Sequence, residues 1–254
     1  VVVLAVTVLA LAGVFTGERL RGDLLATIGY GANWRFATEG TTYAQLFESN
    51  ASPLLHFWSL AIEEQFYVVW PIFILFLSRY GKRAILYGVA GVTVASFLFS
   101  LYLTQAAPIW AFYSLPTRAW ELGVGALLLF IPDKFLRNRF FPWIGAIGLA
   151  IGTFSFNENT AFPGINALLP VVGTAILIAT IPIWPRFFND LSNNKLMQWL
   201  GAISYPLYLW HWPALVLPSS ALGRPLRIRE TVLCVLLTIF LAHYTSKFIE
   251  QPLR

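Results

Sequence analysis

The chain has 254 residues, of which 57% are hydrophobic, 16% aromatic and only 11% charged, and its formal net charge is +5. A soluble domain carries about 25% charged residues; this balance, with a mean hydropathy of +0.67, excludes an ordinary water-soluble globule and points to a membrane protein. The positive charge does not indicate nucleic acid, because the basic residues sit mostly in short clusters between apolar runs, where membrane topology places them.

Those runs approach the length of roughly 20 residues that crosses a bilayer core. They predict an all-α, polytopic transmembrane helix bundle with about eight spans, near 1–15, 54–78, 84–103, 112–131, 141–156, 166–184, 196–217 and 231–247. The first run, Val1 to Phe15, is short, and the chain opens on Val1-Val2-Val3 with Met197 as its only methionine. A truncated N-terminus is therefore expected. No run has the basic start and small-residue cleavage site of a signal peptide. The single cysteine, Cys234, lies in an apolar run and no metal-ligand spacing occurs, so no metal is expected.

Segment 16–53 is the one long connection. It mixes Tyr30, Trp34, Phe36, Tyr43 and Phe47 with polar residues such as Asn33 and Arg35, which predicts packing at the membrane interface, since disordered segments are poor in aromatics. Basic residues then alternate between loops. Arg79, Lys82 and Arg83 follow the second span, Lys134, Arg137 and Arg139 the fourth, and Arg186 and Lys195 the sixth, whereas loops 104–111 and 157–165 hold no lysine or arginine. The first set is thus expected in the cytoplasm, with the C-terminus, and segment 16–53 outside. Arg224, Arg227 and Arg229 fit this orientation less well, because their loop must then lie outside.

Ionisable residues within apolar spans are expensive and mark functional candidates. Three stretches carry them. In the second span, Ser52 is placed to cap a helix beginning at Pro53. On that helix His56, Ser59, Glu63, Phe66, Tyr67 and Trp70 share a face, with Glu64 about 100° round from Glu63. Adjacent carboxylates in low dielectric repel, and a raised pKa on one of them would suit a general acid or base; the alternative is a structural pair held by Arg118 or backbone donors. In the fourth span, Arg118 and Glu121 are three residues apart, so they either pair with each other or leave Arg118 to bind a substrate anion or a second-span carboxylate. In the seventh, Ser204, Tyr208 and His211 share a face, and Pro206 and Pro213 imply local breaks. His211 is either a proton shuttle or part of an interfacial aromatic belt with Trp210 and Trp212. His243, Lys247 and Glu250, at the end of the last span, read as interfacial anchors.

The string HFWSLAIEEQFYVVWP (56–71) resembles the signature of the acyltransferase-3 family of integral membrane O-acyltransferases. FYSLPTRAWELGVGALL (112–128), WLGAISYPLYLWHWP (199–213) and the terminal KFIEQPLR (247–254) agree with that family in the same order. The resemblance covers nearly the whole chain. It implies a single membrane acyltransferase domain over 1–254 that lacks the first two of about ten spans, and with them the family's catalytic histidine, a role that it does not give to His56, His211 or His243. The ending is most similar to the subgroup in which an extracytoplasmic SGNH domain follows.

The implied activity moves an acyl group, in the family often acetyl, from acyl-CoA (acetyl-CoA) as donor to a hydroxyl of an exported cell-surface glycan such as peptidoglycan or lipopolysaccharide. The expected location is the bacterial inner (cytoplasmic) membrane, and the expected partners are the glycan acceptor, the lipid bilayer and an SGNH domain or partner, with no nucleic acid. Glu63, Glu64, Tyr67 and His211 are the catalytic candidates, and His56, Arg118, Glu121 and Tyr208 the substrate-binding ones. The fragment alone could be inactive. Basic loops at 79–83 and 134–139 either attract the phosphates of coenzyme A or simply record topology. The competing class is a proton-coupled membrane transporter, which also uses intramembrane carboxylates, histidines and broken helices.

Overall fold

The computed structural model describes residues 18–40, 52–132, 138–157 and 160–253, and among these every regular element is helical. The first expected span, Tyr43, Phe47, Lys134 and Arg137 lie outside the described residues. In chain order the helices are α1 (Glu18–Ile28), α2 (Ala32–Thr38), α3 (Phe57–Ser78), α4 (Lys82–Ala106), α5 (Pro108–Tyr113), α6 (Leu115–Leu127), α7 (Phe141–Ser155), α8 (Leu168–Ala179), α9 (Arg186–Ser192), α10 (Lys195–Ala202), α11 (Ser204–Leu222) and α12 (Ile228–Thr245). A π-helical turn, Ser246–Glu250, extends α12.

Three helices are long and apolar enough to cross a membrane, namely Phe57–Ser78, Lys82–Ala106 and Ile228–Glu250, and α7 and α8 are shorter apolar helices. Exposed apolar residues cover the long ones, with Val68, Val69, Ile72, Leu75 and Phe76 on α3 and Val232, Leu233, Leu236 and Phe240 on α12. Such a surface suits lipid and would be a liability in water. The chain is a multi-pass helical membrane protein.

Two expected spans are jointed. Segment 112–131 is interrupted at Ser114, between α5 and α6, and segment 196–217 at Ile203, between α10 and α11. Each break lies just before a proline, Pro116 or Pro206, which lacks the N–H needed to continue a helix from the preceding turn. Pro71, Pro213 and Pro218 stand inside unbroken helices. The expected break at Pro213 is therefore absent.

The chain divides into two compact units. One takes α1, most of α2, the turn before α3 with the start of α3 to Leu60, and everything from Asp190 on. In it α11 packs along α12. Buried Asp23 on α1 accepts a hydrogen bond from Arg35 on α2 at 2.5 Å, while Tyr30 and Trp34 stay exposed. The end of α12 is fastened by two indoles. Trp199 donates to His243 Nδ1 at 3.2 Å and Trp210 to Thr245 Oγ1 at 3.0 Å. At the start of α12, Arg224 and Glu230 form a salt bridge at 2.7 Å, which holds the Arg224 guanidinium protonated above its usual range.

The other unit holds Ala61–Asn189. Here α4 packs on α6, and α7 on α8. A Cβ added to Gly123 would collide with the Thr93 hydroxyl, and one added to Gly173 would lie 2.9 Å from the Gly145 carbonyl oxygen. These helices approach through missing side chains, as membrane helices do. Ser96 on α4 seals the joint before α6, donating to the Pro116 carbonyl at 2.6 Å and accepting from the Trp120 N–H at 2.9 Å. Thr117, fully buried, donates to the carbonyls of Ala111 and Ser114 across the same joint.

Candidate functional site

The turn ahead of α3 is the centre of the first unit's polar cluster. Ser52 and Pro53 do not start a helix, as their sequence suggested; α3 begins at Phe57, and Ser52–His56 form tight turns in which Leu55 bonds the Ser52 carbonyl and Phe57 the Leu54 carbonyl. The Ser52 hydroxyl caps only the local Leu54 N–H, at 3.3 Å. The physical reason is tertiary. Two side chains one turn apart on α11 reach this segment, with Trp212 donating to the Ser52 carbonyl at 2.9 Å and Tyr208 to the His56 carbonyl at 2.5 Å. Leu20 and Leu54 form an apolar base with Leu24, Phe57, Leu209 and Trp210 packed around it.

Four polar side chains meet above this base. The Tyr208 hydroxyl has one proton, and a carbonyl can only accept, so that proton goes to His56 O. The Ser59 hydroxyl, 2.5 Å from Tyr208 Oη, then supplies its own proton to the tyrosine oxygen. The His211 ring lies 5.3 Å from the Tyr208 ring and 5.6 Å from the His56 ring, centroid to centroid. His211 Nδ1 stands 2.6 Å from the backbone oxygen of Tyr208. His56 is 6% exposed. Neither of its ring nitrogens makes a hydrogen bond, the nearby Leu209 backbone offering none of normal geometry. The structure thus brings His56, Tyr208 and His211 together, and adds Ser59, whose place on the His56 face was the only sign of it in the sequence.

Trp210 and Trp212 spend their indole N–H groups inside this unit, on Thr245 and Ser52. They brace the cluster through these bonds.

Glu63 follows Ser59 by one turn of α3 and is exposed; Glu64 is half-buried, and Tyr67 is 60% exposed. In the second unit Arg118 and Glu121 pair, at 2.9 Å, with side chains 12% and 24% exposed. Arg118 also donates to the Phe112 carbonyl at 3.3 Å. Its guanidinium lies 5.1 Å from the ring centres of both Phe112 and Phe162. The i, i+3 pairing is therefore realised, with the cation lying against two aromatic rings whose centres are 6.4 Å apart. Among the described residues no group of three histidine, cysteine, aspartate or glutamate side chains could hold a metal ion.

Comparison with known proteins agrees with these motifs. The model of the acyltransferase domain family Acyl_transf_3 matches residues 3–246. The chain is 34% identical over 254 residues to the putative peptidoglycan O-acetyltransferase YrhL of Bacillus subtilis, covering 92% of this chain and 40% of the relative. It is 33% identical over 260 residues to the peptidoglycan O-acetyltransferase OatA of Listeria monocytogenes, covering 93% and 41%. A putative O-acetyltransferase of Staphylococcus aureus, SACOL0978, is 27% identical, covering 93% and 42%. The chain thus spans about two fifths of the length of these curated relatives. No solved structure gives a significant match. A polytopic helical chain matched to one family model over nearly its whole length belongs to the acyltransferase-3 family of membrane acyltransferases.

Proposed function

We propose that the protein transfers an acyl group, acetyl from acetyl-CoA, to a hydroxyl of an exported cell-wall glycan of the peptidoglycan type, in the cytoplasmic membrane of a bacterium. The observation that carries this reading is the family match over residues 3–246, joined to relatives at 33% and 34% identity that are named for peptidoglycan O-acetylation. The chemistry available agrees with it. Acyl transfer to a hydroxyl needs a base for the hydroxyl proton. The turn before α3 and the middle of α11 supply two histidines, a tyrosine and a serine within one cluster. His56, Ser59, Tyr208 and His211 form the acceptor side of the site in this proposal. Glu63, Glu64 and Tyr67 remain proposed catalytic groups and Arg118 and Glu121 proposed substrate-binding ones. An SGNH domain or partner acting on the glycan outside belongs to the same reading.

The test is acetate held as ester on the cell wall. The full-length gene product is expressed in a bacterium lacking its own wall O-acetyltransferase, and acetate released from purified peptidoglycan by mild base is measured. Ester acetate that appears with the protein supports the proposal. A wall without it, together with solute uptake by vesicles that carry the protein, would establish the transporter class instead.

A further inference from the structure

His211 carries its own orienting group. Nδ1 lies 2.6 Å from the backbone oxygen of Tyr208, one turn earlier on α11. A carbonyl oxygen has no proton to give, so Nδ1 must be the protonated nitrogen of this contact. In the neutral ring the lone pair is then on Nε2, because the bond made by one imidazole nitrogen sets the state of the other. The neighbouring His56 is 6% exposed, and neither of its ring nitrogens makes a hydrogen bond of normal geometry. A neutral His56 keeps one N–H donor and one acceptor in either tautomer. Buried polar groups of this kind ordinarily find a partner, and an orphaned one in a folded protein calls for an explanation. The two ring centres are 5.6 Å apart and the planes cross at 74°. At that separation a single oxygen atom can reach one nitrogen of each ring with bonds of ordinary length.

We infer that His56 and His211 form a two-imidazole seat for one hydroxyl group of the acceptor, in which His56 donates to the hydroxyl oxygen and His211 Nε2 takes the hydroxyl proton. The inference rests on the acyl-transfer reading above and assigns that site's division of labour. The step balances. The acceptor oxygen bonds to the carbonyl carbon of an acyl thioester as its proton passes to His211. The carbon–sulfur bond breaks, the thiolate takes the proton from His211, and the products are an ester and a thiol with the ring neutral again. Tyr208 acts on this seat in two ways, its backbone oxygen fixing the His211 ring and its hydroxyl fixing the His56 backbone; it is a positioning residue. The task assigned to His211 is the passage of one proton from the acceptor hydroxyl to the leaving thiolate, and the histidine which the family resemblance places in an earlier span takes no part in it.

The experiment uses the full-length protein in membrane vesicles, acetyl-CoA, and an N-acetylglucosamine oligosaccharide as acceptor probe. His211→Gln keeps an N–H for the Tyr208 carbonyl but has no basic nitrogen. It should lower kcat by about 10²–10⁴-fold, the usual worth of a positioned base, with KM for the oligosaccharide little changed. His56→Asn should raise that KM about tenfold, the loss of one hydrogen bond, with a smaller effect on kcat. Because either variant could fail to fold, ¹⁵N-histidine spectra of the wild-type protein give an independent reading, with the His211 signals identified by their loss in His211→Gln or in its conservative partner His211→Asn. Nδ1 should be of the protonated type and Nε2 of the lone-pair type, and only Nε2 should move when the oligosaccharide is added. A lone-pair Nδ1, or His211→Gln turning over within threefold of a wild type that does transfer acetyl, overturns the inference and leaves the proposed function standing. A wild-type protein that acetylates no glycan overturns the proposed function, and the seat with it.

Discussion

The Tyr208 hydroxyl donates to the carbonyl oxygen of His56 at 2.5 Å across 152 positions of the chain. That bond fastens the turn ahead of α3 to α11, and the same hydroxyl accepts from Ser59. Tyr208→Phe keeps the ring contacts with both histidines and deletes only the oxygen, removing its bonds with the His56 carbonyl and Ser59 and leaving these two the longer bond between them, at 3.4 Å. Losing such partners costs about 1–3 kcal/mol. The melting temperature in detergent should fall, and Ser59→Ala should cost less in the Tyr208→Phe background than alone. Full additivity of the two losses would show that the hydroxyls act separately.

A second expectation concerns the seam between α7 and α8. A methyl group added at Gly173 would meet the Gly145 oxygen at 2.9 Å and the Leu149 nitrogen at 3.1 Å, both backbone atoms. Gly173→Ala should therefore destabilise the protein by about 1–3 kcal/mol, the usual cost of overpacking. Gly125→Ala is the control, since nothing lies within 4 Å of the added carbon and alanine favours the helix. Equal melting temperatures for the two variants would contradict the close approach of α7 and α8.

Arg118 should not be replaceable by lysine. Its planar group bonds Glu121 and the Phe112 carbonyl while lying against two phenylalanine rings, and an ammonium cannot reproduce that arrangement. Arg118→Lys should cost about 1–3 kcal/mol, and Glu121→Gln, which keeps an acceptor oxygen, less. Thermal unfolding of both checks the order, and the reverse order would assign the holding role to the carboxylate charge instead of the aromatic contacts.

Glu63→Gln tests the acid–base candidate on α3. In the full-length protein it should reduce acetyl transfer at least about 10²-fold while the amount of protein in the membrane is unchanged. Wild-type transfer by this variant removes Glu63 from the site.

The long helices were legible in the sequence because their apolar runs match the bilayer, as α3, α4 and α12 do. The joints at Ser114 and Ile203 were harder to place. Hydropathy does not register a broken backbone, and proline is an ambiguous sign of one, since Pro116 and Pro206 sit just after breaks whereas Pro71, Pro213 and Pro218 ride within helices. Arg118 and Glu121 could be paired on paper, since helix geometry alone brings positions three apart together. His56, Tyr208 and His211 could each be singled out by the cost of a polar group in an apolar span. Their meeting could not, because it depends on α11 returning to a turn some 150 positions earlier, about the separation of the bond itself. Ser59 was seen only as a neighbour in register, because serine is neither apolar nor costly enough to stand out.

The threonines of the apolar helices bear on how the protein is made. Thr93, Thr153, Thr180 and Thr238 each give their hydroxyl proton to the carbonyl four residues back, on Val89, Leu149, Ile176 and Cys234, at 2.7–2.9 Å. Those polar groups are satisfied within their own helix, before any neighbour arrives. A threonine so bonded presents no unsatisfied hydroxyl when its helix leaves the translocon and rests in lipid alone. Recognition between helices is then a later event, decided by shape at contacts such as Gly145 against Gly173. Insertion and assembly become separable stages of biogenesis, and a defect at the glycine seam would appear as full-length, membrane-inserted chain that fails only in its final packing.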